Sequence, residues 1–466
     1  PGLGQRKDNE LRLVAEYTVK RGKIFASDGK TVLARNKAKK SGGKTLYFRR
    51  YPTGGLFAHA VGYSTAAHFR TGVEQSLDDY LVGADNNLGS VLRRTKDNLL
   101  GATLKGSDVV LTLNAKAQRV AMEALGSNCG AVVALEPGSG KVLVLASKPT
   151  YDPNLIENHF AQVAKATTGS CGGPLLNRAT AALYSPGSSF KVVTMAAALE
   201  SGKYTPESAF DDPGYCTEYG KKVYNFGADQ GGPEVFGHVT LAQALQHSIN
   251  AVFCQLGQQL GPFPILDEAK KFGFYSLPPL DTPPDERKAS GLISPNGHLF
   301  EPSDPNAVDV GRLAFGQERR LLVTPLQMAM VAAGIGNDGI VMQPQLLDRV
   351  VAPNGSLTTT FHPHELGRAV TPEHAQQINL MMQSVVSAGT GTAAQIPGIP
   401  VAGKTGTAET GTAHVNTTWF ICFAPADNPK VAVAVALERQ RGVGGTTAAP
   451  IAKLVLQALL SPSGTP

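Results

Sequence analysis

Charge is thinly spread in this chain, and that shortage removes the first class of function. A net charge of +6 over 466 residues is mild, and no run of five or six like charges occurs, which argues against nucleic acid as a partner. The ten histidines are scattered without an HExxH pair, and the five cysteines never form CxxC. The common zinc and thioredoxin-type sites are therefore absent. His362-Pro-His364 reads as loop text, and His247 as a packed or solvent-facing side chain. No apolar run reaches the ~18 residues of a membrane span. Gly (51) and Pro (31) make up about 18%, below the roughly 25–30% that marks disorder. The chain is expected to fold without a metal or cofactor.

An odd number of cysteines leaves at least one unpaired within the chain. Cys254 and Cys422 lie in apolar runs (AVFCQL, WFICFA) and are expected to be small core residues. Cys171 and Cys216 lie in loop-like text and are the pair expected to bridge. Cys129 is left unassigned.

The text changes character near residue 108. Residues 1–107 are Gly-punctuated, charged and β-like, with turns such as Ser27-Asp28-Gly29-Lys30. From there, Ala115 to Leu125 has helical composition behind an Asn114 N-cap. Gly130–Leu135 and Val142–Ala146 are apolar runs around Glu136-Pro-Gly-Ser-Gly140, which predicts a hairpin. Ser188 to Leu199 reads as a buried helix, and Thr240-Leu-Ala-Gln243 as a capping box opening another, ending near Gln246. Thr418–Ala424 and Val431–Leu437 read as strands before a final helix, Ala449 to Leu460. Helices before and after a strand region predict an α/β architecture with helices packed on an antiparallel sheet. The expected division is a non-catalytic module over 1–107 and a catalytic domain over 108–466.

Three short motifs follow in order: Ser188-Ser-Phe-Lys191, Ser248-Ile-Asn250 and Lys404-Thr405-Gly406-Thr407. Residues three apart share a helix face, so Lys191 lies within reach of the Ser188 hydroxyl. A serine needs such a base to become a nucleophile. A lysine serves if burial or a second cation lowers its pKa, and Lys404 can be that cation. Ser248 can relay a proton to a leaving amine, and Asn250 offers an amide to hold a peptide group. Thr405 and Thr407 add hydroxyls for a substrate carboxylate, and Gly406 is expected to let substrate approach the backbone. The backbone N–H groups of Ser188 and Thr407 form the expected oxyanion hole.

One competing pattern shares these residues. Gly398 to Thr405 matches the phosphate-loop string GxxxxGK[ST]. That loop must lie between a strand and a helix. Here Pro397 and Pro400 interrupt the approach, and the Thr- and Gly-rich text that follows leads into a strand.

With their flanks, the motifs resemble class B penicillin-binding proteins of the actinobacterial division and elongation type. Arg21-Gly22-Lys23-Ile24 with Asp28-Gly29, Gly72-Val73-Glu74 with Leu81 and Gly83, and Asn177-Arg178-Ala179 ahead of Ser188 are similar to family elements. So are Ala314-Phe-Gly-Gln317 with Thr324-Pro-Leu-Gln327, and KTGTAE (404–409) with Trp419-Phe420. The resemblance implies a pedestal followed by a penicillin-binding transpeptidase domain, with a five-stranded antiparallel sheet between helices. It implies a membrane anchor outside this stretch of chain and a catalytic domain on the extracytoplasmic side. It implies attack on a D-Ala-D-Ala stem peptide, transfer to a second stem's amine, covalent inhibition by β-lactams, and cell-wall synthesis or division proteins as partners. A D,D-carboxypeptidase or a β-lactam sensor of the same fold would carry the same acylation motifs. One departure is visible: Thr417-Thr418 precedes Trp419 where the family often has His-Ala, and His414 lies further back.

Overall fold

The computed structural model describes residues 17–84, 103–167, 171–226, 232, 234–412 and 414–461. Two sheets organise them. The first has five antiparallel strands in the spatial order Ala402–Glu409, Asn416–Ala424, Val431–Gln440, Gly130–Leu135, Val142–Lys148. Its third and fourth strands are covered on both faces. Ala131, Val133 and Leu135 join a core with Phe190, Val193 and Leu326, while Val132 and Ala134 join another with Ala121, Leu125 and Val455. A strand buried on both sides reads as a continuous apolar run, which is how GAVVAL appears in the sequence.

The expected caps are present. The Asn114 side chain accepts a hydrogen bond from the Ala117 amide, opening the helix Ala115–Leu125. Thr240 and Gln243 bond reciprocally, at 2.9 and 3.2 Å, ahead of Leu241–Gln246. A helix absent from the periodicity reading, Pro325–Ile335, is buried along its whole length. A segment apolar on every side has no amphipathic stripe to detect. The last helix begins at Gly444 rather than Ala449, with Pro450 inside it.

The second sheet has six strands, ordered Leu357–Thr360, Leu347–Val351, Asp108–Leu111, Ile24–Phe25, Val32–Ser41, Lys44–Arg50. Asp108–Leu111 pairs parallel with Ile24–Phe25 and antiparallel with Leu347–Val351. The N-terminal module thus shares one sheet with a hairpin from late in the chain. No helix among the described residues is long and apolar enough to cross a membrane.

The cysteine pairing differs from expectation. Cys129 bridges Cys171 and Cys216 bridges Cys254, with Cα separations of 5.6 and 6.1 Å, while Cys422 is free and buried. Cys254 does face the core, but as half of a bridge. A half-cystine is as apolar as any core residue, so an apolar run does not separate the two roles.

Candidate active site

The first motif sits at a junction of two helical geometries. Gly187–Phe190 is a 3-10 turn, and the α-helix Lys191–Glu200 continues from it. In a 3-10 turn residues three apart eclipse, which stacks Ser188 and Lys191 on one side. Three contacts hold the turn. The Gly187 amide donates to Gly316 O at 3.0 Å, the Ser189 hydroxyl to Pro186 O at 2.7 Å, and the Trp419 indole to Ser185 O at 3.0 Å.

The third motif lies on Ala402–Glu409, the edge strand of the five-stranded sheet. An edge strand leaves one row of N–H groups without a strand partner. No helix follows Lys404, so the phosphate-loop reading has no structural counterpart. Gly406 has a different reason from the one expected. A Cβ there would lie 2.8 Å from Pro186 O and 2.9 Å from the Trp419 Cβ. The group that approaches its backbone is the protein's own turn around Ser188. Gly187, at φ +52°, is its counterpart, since a Cβ there would lie 2.7 Å from Thr407 O. The two motifs touch because both residues at the contact are glycine.

Two amines converge on Ser248. Lys191 Nζ donates to Ser248 O (2.7 Å), Asn250 Oδ1 (2.9 Å) and Ser248 Oγ (3.3 Å). Lys404 Nζ donates to Ser248 Oγ (2.8 Å) and Thr405 O (3.0 Å). Ser248 is held at φ +60°, a left-handed conformation that a non-glycine residue adopts only when its surroundings impose it. In this conformation its carbonyl and its hydroxyl both serve the lysines. Both lysine side chains are fully buried, and no carboxylate among the described residues pairs with either. Burial, and then the neighbouring Lys404 charge, hold Lys191 well below the usual lysine range. Burial pushes Lys404 down to about 7.

A neutral amine has two N–H groups and one lone pair. In that form of Lys191, Ser248 O and Asn250 Oδ1, both pure acceptors, would take the two N–H groups, and the contact with Ser248 Oγ would no longer be donated by the amine. The lone pair is then left for a hydroxyl, which is what a general base requires. Asn250 plays a part the sequence did not suggest. Its Oδ1 holds Lys191 while its Nδ2 donates to Tyr224 O at 3.2 Å. Thr405 Oγ1 meets Thr390 Oγ1 at 2.6 Å, and Thr407 Oγ1 accepts from the Gly444 amide at 3.2 Å.

Sequence reasoning missed the supports. Asn225 Oδ1 accepts from the Ala251 amide (2.9 Å), capping the helix Asn250–Leu260 from outside, and its Nδ2 donates to buried Asp212 (2.8 Å). The Cys216–Cys254 bridge ties the same helix to the hairpin Tyr215–Glu218/Lys221–Tyr224. On the other side Glu438 accepts from Arg178 (2.8 Å) and Tyr184 (2.6 Å), steadying the approach to Ser188. Only proximity in the fold identifies these residues; the Asn-Arg-Ala text around Arg178 was the one signal available. His247 packs beside Phe236 with ring centroids 5.1 Å apart, and His362, His364 and His414 are exposed. The one group of described residues with metal-ligand proximity, Cys216, Glu218 and Cys254, has both sulfurs committed to the bridge.

A serine in the turn that opens a helix, with two buried lysines meeting at a second serine and no acid between them, marks a serine acyltransferase of the penicillin-binding class. Comparison with known proteins agrees along the chain. The profile of the penicillin-binding protein transpeptidase domain matches residues 130–457, and that of the penicillin-binding protein A dimerisation domain matches residues 21–109. Peptidoglycan D,D-transpeptidase PbpA of Mycolicibacterium smegmatis is 36% identical, over 98% of this chain and 93% of its own. The Mycobacterium tuberculosis PbpA is 35% identical with the same coverage. Among solved structures, the ceftriaxone acyl-enzyme of M. tuberculosis penicillin-binding protein A superposes with a TM-score of 0.84 at 33% identity, covering 96% of this chain and 100% of that one. A D,D-transpeptidase domain from Eggerthella lenta gives 0.79 at 34% identity, covering 95% and 98%. The chain belongs to the class B penicillin-binding proteins, close to the PbpA type.

Proposed function

We propose that this protein is a peptidoglycan D,D-transpeptidase working through an acyl-serine on Ser188. Ser188 Oγ attacks the carbonyl between the two D-alanines as neutral Lys191 takes its proton. The Ser188 and Thr407 amides receive the developing oxyanion. Ser248, bonded to both lysines, passes its proton to the departing D-alanine amine and takes in its place the proton that Lys191 received from Ser188. The amine of a second stem then attacks the ester and frees the serine. Lys404, with the Thr405 and Thr407 hydroxyls, reads the substrate carboxylate, whose desolvation demands a cation or several donors. Asn250 orients Lys191 and faces the bound peptide. A β-lactam follows the first half of this path and stops at the ester.

The observation that carries the reading is the pair of buried lysines meeting at Ser248 without a carboxylate. The test is intact mass and peptide mapping after incubation with penicillin G. One adduct on Ser188, absent from Ser188→Ala, is expected. An adduct that persists in that variant removes Ser188 from the role. Replacement of the acceptor amine by water would make the enzyme a carboxypeptidase, and product analysis with a stem peptide and an added amine separates the two.

Residues 1–107 serve in this proposal as the non-catalytic pedestal and 108–466 as the transpeptidase domain, joined through the six-stranded sheet. The working place is the outer side of the cytoplasmic membrane, through an anchor outside this stretch, among cell-wall synthesis or division proteins. The two disulfides support an oxidising compartment.

A further inference from the structure

The mild overall charge conceals one concentrated region. Between Asp28 and Glu74 the chain carries nine Lys and Arg and no Asp or Glu, more positive charge than the whole chain has net. Six of the nine (Arg35, Lys37, Lys39, Lys40, Lys44, Arg50) lie exposed on the hairpin Val32–Ser41/Lys44–Arg50, whose second strand forms the outer edge of the six-stranded sheet. The register sorts them. Arg35 lies opposite Arg50, Lys37 opposite Phe48, Lys39 opposite Leu46 and Ser41 opposite Lys44. Residues directly opposite share a face, so five cations, Phe48 and Leu46 lie on one side. The alternate side turns inward at its base, where Arg49 bonds buried Glu74 at 2.6 Å.

This face is unfavourable for the fold taken alone. Like charges directly opposite, as at Arg35 and Arg50, destabilise a ribbon, and none of the six cations has an acidic partner among the ion pairs of the described residues. Phe48 is 37% exposed and stacks on Tyr17 at 5.0 Å. Cations around a half-exposed aromatic make an interfacial surface: the ring enters the headgroup boundary while the long basic stems keep their charges among phosphates. We infer that the outward face of this hairpin is a docking surface for an anionic phospholipid membrane, acting in addition to any anchor and bringing the pedestal down onto the bilayer. The occupant follows from charge complementarity, an exposed sheet edge and the half-exposed aromatic among the cations. Attraction of this kind adds up per cation and fades with salt.

The test is cosedimentation of the full chain with vesicles of phosphatidylcholine containing about 30% phosphatidylglycerol, against pure phosphatidylcholine. Binding at least about tenfold stronger to the anionic vesicles is expected, with loss in about 0.5 M salt. Lys37→Glu/Lys39→Glu/Lys44→Glu should lower that binding about tenfold or more, while penicillin acylation, which reports the fold, stays at the wild-type rate. Should the triple variant fail to acylate, the three single Lys→Gln variants replace it, each expected to lose a part of the binding. Equal binding to both vesicle types, undiminished binding by the variants, or binding to soluble polyglutamate but to neither vesicle would overturn the inference.

Discussion

Two clusters of buried cations lie among the described residues, and their neighbours separate them. In the pedestal, Arg21 and Arg49 enclose Glu74, which is completely buried, at 2.9 and 2.6 Å, and Arg21 also reaches Asp78. Burial alone would raise the Glu74 pKa, but Arg49 and Arg21 outweigh it and hold the carboxyl below its usual range. Burial alone would lower Arg21, and Glu74 with Asp78 raise it instead. Glu74 and Arg21 both stay charged. At the candidate site, Lys191 and Lys404 are buried as deeply, but their hydrogen-bond partners are hydroxyls, carbonyls and an amide, with the Phe253 ring 5.1 Å from Lys191 Nζ. There burial wins and both pKa values fall. A buried cation with a counter-charge is a structural tie. Without one it sheds its proton and becomes available as a base.

The largest effect expected from breaking this contrast is at Lys191. Lys191→Ala should slow penicillin acylation by about 10²–10⁴, the range for loss of a general base, with the fold retained. An unchanged stopped-flow rate at neutral pH would remove Lys191 from the chemistry. In the pedestal the same kind of change should act on stability. Glu74→Gln leaves two buried guanidiniums without their anion and is expected to cost about 3–5 kcal/mol, read as a lower denaturation midpoint. Acylation by the folded fraction should stay at the wild-type rate. If Glu74→Gln slows chemistry without lowering stability, the two clusters are not distinct in kind.

A smaller effect is expected at Asn225, which touches neither lysine. Asn225→Ala removes the outside cap of Asn250–Leu260 and loosens Asn250, whose Oδ1 accepts a hydrogen bond from Lys191. A lost cap costs about 0.5–2 kcal/mol, so the acylation rate constant should drop by roughly tenfold, with penicillin affinity before acylation little changed. A loss confined to affinity would place Asn225 on the substrate side instead.

Local features of the fold were legible because they depend on neighbours in sequence. The Asn114 cap, the Thr240–Gln243 capping box and the Gly130–Lys148 hairpin are each complete within a few residues. The three motifs were legible for the same reason. What escaped depends on distant pairs. Cys254 shares a run with core residues, and only the fold brings Cys216 against it. Gly406 reads as a gap for substrate until Pro186 and Trp419 are seen to occupy it. The hairpin Leu347–Val351/Leu357–Thr360 gives no sign in its text of joining strands more than 200 residues earlier. The lysine pair is the sharpest case. Lysine at 191 and 404 was visible, and burial or a second cation was expected to lower Lys191; only the fold ranks the two, with burial first.

The dependence of the second-order acylation rate on pH tests the central claim most directly, using a β-lactam that carries its carboxylate. The proposed mechanism requires Lys191 neutral and Lys404 charged. Lys191 is held well below the usual lysine range, so the rate should climb on an acid limb that lies well to the acid side of an ordinary lysine's. Lys404, pushed down to about 7 by burial, should impose a fall on the alkaline side as its charge is lost. Bound carboxylate favours the charged amine, so the rate at saturating β-lactam should have its alkaline limb displaced upward. A bell-shaped profile that falls on the alkaline side of about 7 is the predicted result. A rate that keeps rising to pH 10, as for two ordinary lysines, would contradict the account.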